Sequence, residues 1–227
     1  MDWSRAIDSY CERTGPGYWA EPLNLVSNLA FLVAAAVAWR LSAGDRAGRI
    51  LAGLIAAIGV GSWLFHGHAQ MWALLADVVP IQIFVLACIA VATTRFFAVP
   101  AWAGVAVALA FLPAAALTAR LIAAVAGPLN GSVSYLPMAL LLASYAVALR
   151  RRAPATARGL VGVAIVFCLS LGFRSIDLAV CPVLPRGTHA LWHVLNAVVL
   201  AGLVRILVRH GPAPRRKKPR RPQVAGA

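Results

Sequence analysis

Three of the five histidines occupy positions that fit a metal site. His189 and His193 are four residues apart, which places both imidazoles on one face of a helix. His66 ends a separate apolar segment, and alternation of membrane segments brings it to the same end of a bundle as His189. Three imidazoles with a fourth position left open to water are the ligand set of catalytic zinc. The spacing therefore predicts a Zn²⁺ site held by His66, His189 and His193.

Two polar residues close to His66 could supply the remaining chemistry. Asp77 lies a turn or two into the next apolar segment, and an ionisable residue inside a membrane helix is a functional candidate. We expect it to act as a general base that takes a proton from the attacking water. Ser62 precedes His66 by four residues, so its hydroxyl points to the same face and could donate a hydrogen bond to an oxyanion.

The histidines also allow other interpretations. Polar side chains in membrane bundles often do no more than hydrogen-bond between helices, and we assign His68 and His210 to this class. Two histidines on different helices could instead bind haem iron from opposite faces. A haem site has little use for the Asp77 carboxylate, so zinc accounts better for the whole set.

A second polar cluster precedes the first apolar segment. Its carboxylates and nearby amides offer hard oxygen ligands, which Ca²⁺ prefers. A solvated acidic loop with a helix-capping asparagine is the alternative interpretation. The candidate calcium ligands are Asp8, Glu12 and Glu21, and the nearby amides are Asn24 and Asn28.

Two further pairs of residues are expected to be structural. Arg174 and Asp177 are three residues apart, a spacing that predicts an ion pair within one helix. Cys11 and Cys181 are predicted to lie at the same end of the bundle, where a disulfide is one of two alternatives that the sequence leaves open.

The elements that position these residues are apolar helices. Apolar residues make up 61% of the 227 residues, and the mean hydropathy is +0.80, which exceeds what a water-soluble domain needs for its core. A bilayer core of about 30 Å takes roughly 20 helical residues. We therefore predict an all-α bundle of seven membrane helices within residues 1–210, followed by a basic disordered tail at 211–227. The predicted spans are 23–39, 50–65, 71–92, 101–117, 133–149, 160–176 and 189–208.

The basic residues predict the orientation of this bundle. Lys and Arg collect on one side of the predicted spans, and that side is cytoplasmic in membrane proteins. The C-terminus is therefore predicted to be cytoplasmic and the N-terminus exterior. The net charge of +14 also invites a nucleic-acid partner, but no soluble domain accompanies the basic tail to bind bases. We expect membrane lipids as partners, no nucleic acid, and, from the Ala, Arg and Val content, a bacterial inner membrane.

The order of these residues resembles that of the alkaline ceramidases, which belong to the CREST superfamily of seven-span membrane hydrolases. The resemblance covers nearly the whole chain except the basic tail. It is carried by Tyr10-Cys11-Glu12, Ala20-Glu21-Pro22-Leu23-Asn24, Ser27-Asn28, Gly61-Ser62, Phe65-His66, Asp77, Pro80, His189 and Trp192-His193.

The resemblance implies a role for each candidate residue. It implies that the three histidines bind zinc, that Asp77 moves the proton and that Ser62 assists at the scissile carbonyl. It also implies calcium binding by the N-terminal acidic loop. Here the sequence departs from the family, since Ser9 and Thr14 stand where an acidic residue and an asparagine are usual.

The leading hypothesis is an intramembrane zinc-dependent amidase that cleaves ceramide or a related lipid amide and releases a fatty acid. The alternative is a seven-span metal-binding receptor or sensor of the progestin and adiponectin type. A retinal pigment is excluded because the only lysines, Lys217 and Lys218, lie in the tail. A transporter would show internal repeats or broken helices, and the sequence has neither.

Overall fold

Alanine, leucine and valine dominate the apolar segments, and in hydrocarbon such segments fold as helices because each must bond its own backbone N–H and C=O groups. The structure, a computed structural model, describes residues 2–211, so the predicted tail lies outside the described residues except for Gly211. Within this range the chain forms eight α-helices and one 3₁₀ helix. They are α1 (Pro22–Ser27), α2 (Leu29–Leu41), α3 (Arg46–His68), α4 (Met71–Phe97), α5 (Ala101–Ala126), the 3₁₀ helix (Leu129–Ser134), α6 (Leu136–Leu149), α7 (Pro154–Val180) and α8 (His189–His210).

Six helical segments are long and apolar enough to cross a membrane, with α1 and α2 together forming the first. The protein is therefore a polytopic membrane protein, as predicted. The remaining segment, α6, has only 14 residues and a length of about 21 Å, short of the roughly 30 Å hydrocarbon core. Asn130 and Gly131 before it adopt positive φ angles of 49° and 76°, which turn the chain and delay the start of α6. The seventh span and the membrane orientation remain predictions.

The long helices extend past the predicted spans at their ends. The predicted span 101–117 is part of α5, which continues through Pro113 to Ala126. Similarly, α4 contains Pro80 and reaches Phe97. Prolines are tolerated in membrane helices because neighbouring groups satisfy the freed carbonyl.

The bundle is closed by its last helix. From α2 onward, consecutive helices pack against each other, and α8 contacts α1, α2, α3, α4 and α7. Small residues allow some helices to approach closely. At Gly61 a Cβ atom would overlap the backbone of Ala76 and lie 3.1 Å from the Asp77 Cα, so glycine permits this contact between α3 and α4.

The two ends of the bundle are held by different interactions. At one end, Arg95 of α4 donates to both carboxylate oxygens of Asp45, at 2.6 and 2.8 Å, and to the Leu207 carbonyl of α8. At the other end, the N-terminal segment crosses the mouth of the bundle and is joined to it by a disulfide between Cys11 and Cys181. The structure thus contains the bridge that the sequence left open. We call this second end the histidine end, because it contains His66, His189 and His193.

Candidate metal centre and its cavity

The turn between α3 and α4 places the first histidine. Ala69 adopts a left-handed conformation, with φ of 46°, and ends α3 one residue after His68. Only Gln70 separates this residue from α4, so the chain reverses at once. His66 and Asp77 therefore lie at the same end of neighbouring helices, as the sequence predicted.

The three predicted zinc ligands meet in the structure. His66, His189 and His193 are buried, and each offers a ligand atom within 4.8 Å of the other two. The Nε2 atoms of His66 and His193 are 3.1 Å apart. Two nitrogens bound tetrahedrally to one zinc ion at normal bond lengths would be about 3.3 Å apart, so this separation matches a shared metal ion.

The hydrogen bonds of the rings indicate which nitrogens carry lone pairs. His66 Nδ1 lies 2.6 Å from Glu21 Oε2, and a carboxylate can only accept, so this nitrogen carries the proton. His193 Nδ1 lies 2.7 Å from the Ser27 hydroxyl, whose hydrogen is directed to the Asn24 carbonyl at 2.8 Å. Both contacts are satisfied when His193 Nδ1 also carries the proton. Two Nε2 lone pairs then face each other, an arrangement that repels unless a cation lies between them, and the donor set fits a metal ion.

The third ring is held from two sides. Tyr10 stacks on the His189 ring with centroids 3.7 Å apart. The His189 backbone N–H donates to Asp177 Oδ1 at 2.9 Å, and Thr188 donates to the same atom at 2.7 Å. Among residues 2–211 the buried Nδ1 of His189 has no hydrogen-bond partner. This ring therefore retains a nitrogen for a partner outside the protein.

Glu21, predicted as a calcium ligand, holds His66 in place. It accepts hydrogen bonds from His66, from Asn24 and from Arg13, and the Arg13 side chain also donates to the His66 carbonyl at 2.8 Å. Burial raises the pKa of Glu21, but the hydrogen bonds from His66, Asn24 and Arg13 outweigh it, and the pKa lies below its usual value. A carboxylate in this position orients a metal-binding histidine and increases its basicity.

The other predicted calcium ligands have different surroundings. Glu12 is buried and accepts from the backbone N–H groups of Leu23 and Asn24, at 2.8 and 2.7 Å, so it caps the start of α1. Asp8 is exposed. Within the described part of the chain, the three histidines are the one group of His, Cys, Asp or Glu side chains close enough to share an ion. The calcium prediction thus gains no support from the geometry and stays a prediction.

Asp77 and Ser62 line one cavity together with His189 and His193. The close packing of α3 on α4 at Gly61 brings Ser62 beside Asp77. The structure therefore brings the predicted catalytic pair and the histidines to one place. Their roles in a reaction remain predictions.

The cavity continues from the histidines into the apolar bundle. Its volume is about 120 Å³, and along α8 it reaches from His193 to Leu203. Ten residues of helix correspond to roughly 15 Å, which is half the thickness of the hydrocarbon core. Its walls are mostly apolar and include Phe31, Ile81, Phe84, Met138, Phe167 and Leu200. Its apolar lining suits a hydrocarbon chain.

The predicted ion pair between Arg174 and Asp177 is wrong. Asp177 instead accepts from the backbone N–H groups of Cys11, Thr188 and His189, and so caps the start of α8. Arg174 lies in the cavity wall. The spacing of three residues permits an ion pair, but both side chains find partners on other elements. No signal in the sequence distinguishes a capping carboxylate from an ion-paired one.

Comparisons with known proteins identify the family of this chain. A family model described as Ceramidase matches residues 8–217, which include the N-terminal segment and every residue of the candidate centre. A comparison with curated proteins finds no match. Because the family model spans most of its length, the chain belongs to the Ceramidase family and hence among hydrolases that act on lipid amides.

Proposed function

We propose that the protein is a zinc-dependent amidohydrolase that cleaves ceramide or a related lipid amide at the three-histidine centre and releases a fatty acid. The observation that carries this proposal is the pair of Nε2 atoms 3.1 Å apart, beside a cavity that also contains a carboxylate. A zinc ion bound there would supply the Lewis acidity that activates water and polarises a carbonyl. The family match favours this hydrolase over the receptor hypothesis.

In this proposal some residues bind the ion and others orient the ligand rings. His66, His189 and His193 would hold the ion. Glu21 and Ser27 hold two of the rings through their Nδ1 atoms. Because both contacts come from the N-terminal half of the chain, the entry to α1 and the α1 helix itself preorganise the centre.

Asp77 is the general base of the proposal. Its carboxylate accepts a proton from the attacking water and returns it to the nitrogen of the departing amine. Ser62, on the neighbouring helix, donates a hydrogen bond to the amide carbonyl oxygen as negative charge develops there. The acyl chain occupies the apolar cavity, which points from the histidines toward the middle of the bundle.

The charge pattern and the disulfide support one membrane orientation. The histidine end contains the Cys11–Cys181 bridge, and disulfides persist in oxidising compartments. The opposite end is rich in arginine, which is typical of the cytoplasmic side. We therefore infer that the centre opens to the exterior side of the membrane, or to the lumen of an organelle.

The decisive experiment compares wild-type protein with Asp77→Ala. Purified full-length protein is analysed for metal and assayed for release of fatty acid from a short-chain ceramide. We expect zinc in both proteins and no turnover by Asp77→Ala, since the variant lacks the proton acceptor but retains the ligands. Asp2→Ala removes an exposed carboxylate and serves as the control. Full turnover by Asp77→Ala, or a wild-type protein that binds no zinc, would contradict the proposal.

A further inference from the structure

One partly buried cation in the cavity wall is not used by the proposed mechanism. Arg174 lies near the histidine end of α7 and lines the same cavity as Asp77 and His189. Its guanidinium donates one hydrogen bond, from Nη1 to the Tyr10 hydroxyl at 3.1 Å. Its Nε is buried and has no partner among the described residues. Within residues 2–211, no carboxylate lies within 4.0 Å of this guanidinium.

Aromatic rings surround the guanidinium. Its Cζ atom lies 5.7 Å from the centroid of the Tyr10 ring, 5.4 Å from that of Tyr135 and 5.2 Å from that of Trp192. Such rings stabilise a buried cation through their π faces, and they hold the planar group in one orientation. They do not satisfy its N–H groups. A guanidinium has five N–H donors in a fixed fork, and most of these are left without an acceptor among residues 2–211.

The charges of the cavity favour an anion beside this group. Among the described residues that line it, Asp77 is the one carboxylate and Arg174 the one guanidinium. The rings of His66 and His193 are arranged as neutral ligands. A divalent cation at the histidines would leave the cavity with excess positive charge. An anionic ligand would offset this charge and would accept from the free donors of Arg174.

The walls around the guanidinium indicate which anion fits. The cavity that it shares is lined by apolar side chains, including Phe167, Met138 and Leu203, and the Tyr10 ring of the N-terminal segment lies 5.7 Å from its Cζ. A ligand that matches this arrangement has one planar anionic group at the end of a hydrocarbon chain. A carboxylate suits the fork of arginine, because two parallel N–H···O bonds can form.

We propose that Arg174 is an anion-binding subsite that binds the carboxylate of a fatty acid, with the chain in the apolar part of the cavity. This inference rests on the proposed function, in which the fatty acid is the product of amide hydrolysis. Fatty acid held there competes with the lipid amide for the same cavity. A second source of the same chemistry would be an anionic head group on the substrate.

The test measures binding and does not depend on turnover. Decanoate and its uncharged analogue decanol are titrated calorimetrically into purified full-length protein in detergent, with and without zinc. We expect the wild-type protein to prefer decanoate by at least about tenfold in both states, as a charge-assisted pair of hydrogen bonds predicts. In Arg174→Gln the preference is lost. In Arg174→Lys it is reduced, because lysine keeps the charge without the fork.

Two controls keep the result interpretable. Arg120→Gln removes an exposed arginine from α5 and should bind both ligands as the wild-type protein does. Thermal unfolding of each variant shows whether it is folded. If Arg174→Gln does not fold, the comparison of wild-type protein with Arg174→Lys is the test. A short-chain ceramide with a phosphate head group, compared with its neutral counterpart, distinguishes the two sources of the anion.

The outcomes separate this inference from the proposed function. An undiminished preference for decanoate in folded Arg174→Gln and Arg174→Lys overturns the subsite, even if the wild-type protein hydrolyses amides. If affinity falls only for the phosphorylated ceramide, the anion is a head group and the assignment to the product is wrong. If no amide is hydrolysed but the arginine variants lose the preference, the subsite stands and the hydrolase proposal fails.

Discussion

Replacing Glu21 with glutamine removes the negative charge that faces His66. In the wild-type protein Glu21 Oε2 accepts from His66 Nδ1 at 2.6 Å, and the same carboxylate contacts Arg13 and Asn24. Glutamine preserves the shape of the side chain. It weakens the acceptor that orients the imidazole, and it leaves Arg13 without a buried carboxylate partner.

The structure allows the size of the effect to be worked out. Carboxylates that bond to metal-binding histidines typically contribute about 10- to 100-fold to metal affinity. The side chains of His66 and Glu21 are 1% and 3% exposed, so water screens their contact very little. We therefore expect the zinc Kd to rise by about 30- to 100-fold in Glu21→Gln, which corresponds to about 2 to 3 kcal/mol.

The assay is a competition for zinc between the purified protein and a chromophoric chelator, at fixed pH, salt and detergent. Glu12→Gln is the matched control, because Glu12 is another buried carboxylate of the N-terminal segment. Its partners are the backbone N–H groups of Leu23 and Asn24, and it does not contact a histidine. We expect this control to lose about 1 kcal/mol of stability, as for a weakened helix cap, and to keep its zinc affinity.

Equal zinc affinity in wild-type protein and Glu21→Gln would refute the orienting role of Glu21. The calcium site predicted from the sequence makes a different prediction for the same two variants. If it exists, both Glu21→Gln and Glu12→Gln lose a response to added calcium, and neither changes its affinity for zinc.

Two further predictions concern the contacts that hold the bundle. Gly61→Ala places a Cβ against the Ala76 backbone, so we expect a lower thermal midpoint and a loss of turnover of more than about tenfold, as for a small displacement of catalytic groups. Gly53→Ala, where a Cβ has open space, is the control and should retain turnover while its free energy of unfolding increases by about 0.5 kcal/mol. Equal behaviour of the two variants would contradict the packing argument. The guanidinium of Arg95 lowers the pKa of Asp45. The ion pair therefore stabilises the fold above about pH 4, and this contribution is lost as the pH falls through the lowered pKa of Asp45. Acid unfolding of Asp45→Asn should lack this step and start from a stability about 1 to 2 kcal/mol lower, since the pair is partly exposed to water. An unchanged acid profile would show that the ion pair contributes nothing.

The three-histidine cluster was predictable because its geometry is largely local. The spacing of His189 and His193 places them on one helix face, and His66 lies at the end of a segment whose direction follows from hydropathy. The same reasoning placed Asp77 and Ser62 near them. The structure brings all of these residues to one end of the bundle.

The length of the membrane helices was less predictable. Hydropathy marks the apolar part of a span, but α5 continues to Ala126 and α7 begins at Pro154, where the sequence is less apolar. The short helix α6 begins only after Asn130 and Gly131 have turned the chain. A backbone conformation of this kind depends on the local turn, and an apolar run does not reveal it.

Composition and local spacing were enough to predict the membrane class, the helical periodicity and the three histidines of the candidate metal centre, because these properties depend on neighbours a few positions apart. The partners of the charged groups, by contrast, depend on how the helices pack. Glu21 contacts His66, Asp177 caps α8, and Arg174 faces the cavity. Each of these contacts joins residues from separate elements. A charged side chain takes whichever partner helix packing brings within reach, and spacing along the chain does not specify that partner.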